Sequence, residues 1–158
     1  MKNLLKAIAA TAFVVVPMQS IAATGDIPFN GTVNATCIVN VGANGVMTTS
    51  ADLQTFGSNQ AGGSAGTASV VANGGTFNMS VDPVTSFDTE PAADATSSET
   101  FTPSYASTGA TSAAPGTTGS TAVGAGTSNV TVDLVAVKGG TDVFAAGNYT
   151  ATVTLRCE

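Results

Sequence analysis

Cys37 and Cys157 carry the sharpest chemistry in this chain, which has two cysteines and no histidine. Thiols near opposite ends of an exported chain favour one disulfide, with two free or intermolecular thiols as the competing reading. A bridge would close a loop of about 120 residues, for which chain entropy sets an upper figure of roughly 5 kcal/mol. Two cysteines without histidine make a poor metal site. The lack of histidine also removes Ser-His and Cys-His nucleophile pairs. Asp82, Asp88, Glu90 and Asp94 are the remaining candidates, as oxygen ligands for calcium or as a glycosidase acid pair. Their spacing matches no EF-hand loop, and the chain has no Trp to stack against a sugar ring. They are expected to be solvated loop acids. Gly62-Gly63-Ser64 lacks the Lys-Ser/Thr of a phosphate-binding loop. The N-x-S/T triplets at Asn30, Asn34, Asn78, Asn129 and Asn148 are uninformative in so Thr- and Asn-rich a chain. No enzymatic activity, metal or cofactor is expected.

The compartment is read from the N-terminus. Lys2 and Lys6 bracket a basic start, residues 7–16 form an apolar run, and Pro17 ends it. Ser20-Ile21-Ala22 offers small residues for signal peptidase, with cleavage expected after Ala22 or Ala23. The run is short for a bilayer span of about 20 residues. Cleavage leaves about 135 residues, the size of one domain. Losing Lys2 and Lys6 leaves Lys138 and Arg156 against ten acids, a formal charge of −8. Phosphate neutralisation needs cations, so nucleic acid is excluded as a partner. Low charge with abundant Thr, Ser, Gly, Ala and Val points to strands and loops.

The strands that would hold the two cysteines are the clearest in the chain. In residues 26–42, Ile27, Phe29, Gly31, Val33, Ala35, Cys37, Val39 and Val41 occupy odd positions. Polar residues separate them and only Ile38 breaks the alternation. Period two places the apolar side chains on one face of an extended chain. At the other end, Tyr149, Ala151, Val153, Leu155 and Cys157 alternate with Thr150, Thr152, Thr154 and Arg156. Between these ends, Leu53 and Phe56 could anchor a short strand stopped by Gly57. Residues 67–72 and 76–82 read as a hairpin around Asn73-Gly74-Gly75. Pro103 confines residues 99–105 to an edge or irregular strand. Residues 107–128 are almost entirely Ser, Thr, Ala and Gly and read as a mobile loop, part of which could pair as a hairpin arm. In residues 129–138, Val130, Val132, Leu134 and Ala136 share one face, with Val135 and Val137 on the other. Short strands with turn signals between them imply an antiparallel β-sandwich.

Ile27-x-Phe29-x-Gly31-x-Val33, followed shortly by Cys37, resembles the N-terminal region of bacterial chaperone–usher pilus subunits. The closing stretch Gly147-Asn148-Tyr149-Thr150-Ala151-Thr152-Val153-Thr154-Leu155 is similar to the final strand of that family. The resemblance covers roughly the first twenty and last dozen mature residues; the middle matches in composition and strand rhythm. It implies an all-β fold, an incomplete immunoglobulin-like antiparallel β-sandwich with an N-terminal donor strand. The implied division is a signal peptide over 1–22, a donor-strand extension over 23–34 and a pilin-like domain over 35–158. Ile27, Phe29, Gly31 and Val33 would be donor-strand residues, and Tyr149, Ala151, Val153 and Leu155 would line the final strand beside the acceptor groove. Implied partners are other copies or related pilus subunits, a periplasmic chaperone and an outer-membrane usher, with passage through the periplasm to a cell-surface pilus that supports adhesion. A self-complete secreted β-sandwich, a surface or matrix protein without strand exchange, is the alternative. Many family members bond the first-strand cysteine to one in the second strand, whereas here the second cysteine is penultimate. A Cys37–Cys157 bridge would tie together the two strands that flank the groove.

Overall fold

The computed structural model describes residues 23–94 and 98–158. The expected signal peptide over 1–22 lies outside the described residues. The chain divides into two units, Met1–Thr32 and Val33–Glu158. In the first, residues 23–32 belong to no strand. Among the described residues of the second there is no helix, and the strands in chain order are β1 (Cys37–Val41), β2 (Thr48–Thr49), β3 (Thr55–Gly57), β4 (Gly66–Ala72), β5 (Asn78–Val81), β6 (Glu99–Gly109), β7 (Ala113–Thr117), β8 (Thr121–Ala122), β9 (Gly126–Lys138) and β10 (Leu155–Cys157). The fold is all-β.

Strand β9 is the hub of the larger sheet. Its alternation sends Ser128, Val130, Leu134, Ala136 and Lys138 inward. One edge of β9 pairs over residues 128–138 with the whole of β6, from Glu99 opposite Lys138 to Gly109 opposite Ser128. The other edge is shared: β4 covers residues 126–132 and β3 covers residues 135–137. Ser58 fills the junction between them, its amide donating to the Leu134 carbonyl at 3.0 Å and its hydroxyl to Asp133 at 2.6 Å. β1 extends the sheet beyond β4, and β2 extends it beyond β3. The smaller sheet has the order β10-β5-β8. All pairings are antiparallel.

The two sheets share a core, the arrangement of a β-sandwich. Val70, Tyr105 and Val130 from the larger sheet pack with Met79 and Val81 from the smaller. Tyr105 is fully buried on β6, and its hydroxyl lies 3.0 Å from the Met79 carbonyl and 2.7 Å from the Thr121 hydroxyl across the sandwich. A buried phenol without partners would be destabilising; here it braces one sheet against the other. A second cluster joins buried Phe87, Ala136 and Phe144 to Phe56, Phe101, Tyr149 and Ala151.

Several local expectations change. Residues 67–72 and 76–82 are not a hairpin: β4 pairs with β1 and β9, and β5 pairs with β10 and β8. Asn73-Gly74-Gly75 instead carries the chain from one sheet to the other, with both glycines at positive φ. Both strands can then face one core, Val70 and Ala72 from one side and Met79 and Val81 from the other. Leu53 lies in a turn at φ 59 and does not anchor a strand. Residues 107–128 are largely ordered as the end of β6, β7, β8 and the start of β9, in place of the mobile loop. Low apolar content misleads there, because hydroxyls supply the interior. Ser107, Thr111 and Ser128 are buried, and the Thr111 amide donates to the Ser128 hydroxyl at 2.9 Å. Pro103 does lie where β6 has a partner on one side only, since β7 pairs at Tyr105 and Ser107. The terminal alternation persists as half-buried odd and exposed even residues over 149–157, but a regular ladder covers only β10.

Candidate functional site

Cys37 and Cys157 form a disulfide, with Cα atoms 6.1 Å apart. Its place in the topology is specific. β1 ends the order of the larger sheet and β10 ends the order of the smaller one, so the bridge joins two sheet edges. Cys37 and Val39 on β1, and Val153, Leu155 and Cys157 at the C-terminus, pack against the core while remaining only partly buried. Tyr149 and Ala151 do the same against the aromatic cluster. The inward residues of both edges are thus less covered than the core they touch.

The C-terminal segment is held along its other side. Asp82 N–H donates to the Thr154 carbonyl at 2.9 Å, and Asp88 N–H to the Thr150 carbonyl at 2.8 Å. Arg156 forks onto Asp82, Nε to Oδ1 at 2.5 Å and Nη2 to Oδ2 at 2.7 Å. That hydrogen bond holds the Asp82 carboxyl below its ordinary value. The Thr152 hydroxyl donates to Asp88 at 2.7 Å.

The other expected site residues precede β1. Ile27 and Phe29 are exposed, Phe29 at 94%, and so is Val33 at the start of the second unit. A Cβ added at Gly31 would meet nothing within 4 Å. The chain is anchored from Asn34 onward: the Asn73 amide group donates to the Asn34 carbonyl at 2.8 Å and accepts from Thr36 N–H at 2.7 Å.

A polar cluster that the sequence reading missed lies beside the aromatic cluster. Asp94, expected as a solvated loop acid, is buried. Its Oδ1 lies 2.9 Å from Lys138 Nζ, with side-chain exposures of 4% and 1%. Glu99 Oε1 is 3.4 Å from the same nitrogen and its side chain is 8% exposed. Asp94 Oδ2 accepts from the Tyr149 hydroxyl and, at 3.0 Å, from Ala145 N–H. Lys138 Nζ also sits 5.0 Å from the centre of the Phe144 ring. Burial pushes the Asp94 carboxyl up, but the Tyr149, Lys138 and Ala145 donors outweigh it and hold it below the ordinary value. Burial pulls Lys138 down, and the two carboxylates outweigh that and raise it. Burial, then Asp94, push the Tyr149 phenol well above its ordinary value. A signal was available for Lys138, since the alternation of β9 continues onto it; that Glu99 lies opposite is set by the β6–β9 register.

Among the described residues, no group of three or more His, Cys, Asp or Glu could hold a metal ion. No family model, curated protein or solved structure matches the chain.

Proposed function

We propose that the chain is a structural subunit of a bacterial surface pilus, polymerising by donor-strand exchange and supporting adhesion. On this reading the sandwich is of the incomplete immunoglobulin-like kind. Residues 149–157 and β1 flank the place of the missing strand. The observation that carries the proposal is the meeting of the two sheet edges at Cys37–Cys157, with half-buried apolar side chains along both. An extended peptide added there would take main-chain hydrogen bonds from the edges and seat alternate side chains over the core. Ile27, Phe29 and Val33 have the spacing for that, and their exposure leaves them available to a neighbour. Gly31 would sit where an inserted side chain does not fit, a role that no close packing within the described chain assigns to it.

The disulfide narrows where the donor can lie. A strand inserted between two others needs their backbones about 9.5 Å apart, twice the interstrand spacing. At Cys37 and Cys157 the Cα separation is 6.1 Å, so that end is closed. The donor would run beyond it, alongside Leu155, Val153, Ala151 and Tyr149. Before assembly, a periplasmic chaperone would cover the same apolar edge, and an outer-membrane usher would hand subunits to one another at the cell surface.

The test is assembly without boiling. Chain purified with its chaperone and released from it should run as a ladder on denaturing gels, and deletion of residues 23–31 should leave monomers. A monodisperse full-length monomer with the same melting temperature as the deletion variant would identify a self-complete sandwich instead.

A further inference from the structure

We infer that Lys138 and Asp94 are the two ends of an autocatalytic isopeptide cross-link, with Glu99 as the group that moves the proton. The inference stands on the polar cluster alone and is independent of strand exchange. Lys138 Nζ is 2.9 Å from Asp94 Oδ1, so the amine is already held against the carboxyl group it would attack. Asp94 Oδ2 points the other way, into the Tyr149 hydroxyl and Ala145 N–H. Attack of the amine on Asp94 Cγ moves negative charge onto an oxygen, and two donors already aimed at Oδ2 stabilise that charge as an oxyanion hole does. Glu99 lies 3.4 Å from Nζ, within reach to accept a proton from nitrogen and deliver it to Oδ1.

The reaction balances without a co-reactant. The Nζ–Cγ bond forms and the Cγ–Oδ1 bond breaks. The ammonium group keeps one hydrogen as the amide N–H, and its other two leave with Oδ1 as water. One positive and one negative charge become a neutral amide, while Glu99 ends as it began. The surroundings favour that direction. All three side chains are almost wholly shielded, and the Phe144 ring lies against Lys138. Burial works against both ions, while the Tyr149 and Ala145 donors on Asp94 and the two carboxylates beside Lys138 hold the pair charged, so the attacking neutral amine forms when Glu99 takes a proton from the ammonium group. Replacing a buried ion pair by an amide also relieves the desolvation of both charges. The bond would fix the segment before β6 to the last residue of β9.

Mass spectrometry decides the matter. The exported, folded chain, denatured and with its disulfide reduced, should be lighter than its sequence by one water. Trypsin should then cut it after Arg156 and not after Lys138. Fragmentation of an acid-specific digest should give a branched peptide joining Asp94 to Lys138. Lys138→Arg and Glu99→Gln should both return to full sequence mass, and circular dichroism should show that Glu99→Gln still folds. Wild-type chain at full mass, with Lys138 open to trypsin, would overturn the inference, and so would a loss of water that persists in Lys138→Arg. Should either variant fail to fold, the wild-type mass and the branched peptide decide alone.

Discussion

Cys37 on β1 and Cys157 on β10 join the end strands of two different sheets across a sequence separation of 120 residues. The disulfide therefore does what a hydrogen-bonded ladder would do if the sandwich were continuous at that edge. Constraint of the unfolded chain by so long a loop gives at most about 5 kcal/mol. Replacing both cysteines by alanine should lower the free energy of unfolding by up to that amount in urea titrations. Amides of β1 and residues 149–157 should lose hydrogen-exchange protection first, because each edge has a partner on one side only.

Ser128 is a buried hydroxyl that accepts the Thr111 amide at 2.9 Å. Ser128→Ala removes the acceptor and leaves a buried N–H without it, at a cost of about 1–3 kcal/mol. The urea midpoint should fall with unchanged slope, and exchange at the Thr111 amide should accelerate. An unchanged midpoint would mean that hydroxyls do not organise the β6–β9 region.

Asp82 couples the fold to acid. Its carboxyl is held below the ordinary value of 3.8 by the Arg156 hydrogen bond. The unfolded chain then takes up the proton first as pH falls. The stabilisation is fully present above about pH 4 and is lost as pH drops through the depressed folded value. Asp82→Asn should flatten that part of the stability profile by lowering stability slightly in the neutral range and leaving the acid limit unchanged, as melting temperatures measured from pH 7 down to the acid limb will show. The pair is exposed, so salt should weaken the effect.

Phe29 is 94% exposed, so its side chain contributes little to the fold of its own chain. Phe29→Asp should leave the melting temperature of the monomer unchanged and suppress the gel ladder, since the charge would have to enter an apolar pocket of a neighbour. Equal ladders from both proteins would remove Phe29 from the donor strand.

The sequence by itself determined the all-β class and the faces of the most strongly alternating segments, although of residues 26–42 only β1 is a strand. Period-two patterning is a local property, so β9 and the half-buried alternation of residues 149–157 could be read directly. Cysteine arithmetic likewise pointed to the one bridge that forms. Partner choice was decided by the tertiary structure, because hydrogen bonding between strands depends on residues far apart in the chain. Asn73-Gly74-Gly75 has the composition of a hairpin turn, yet the strands on either side cross to opposite sheets so that both can face one core. The Ser- and Thr-rich region looked too polar to pack until Ser107, Thr111 and Ser128 were seen to satisfy one another inside. Asp94 and Lys138 show the same limit most sharply. Asp94 looks like a solvated charge in sequence, and only the tertiary structure brings it to 2.9 Å from Lys138 in a site shielded from water.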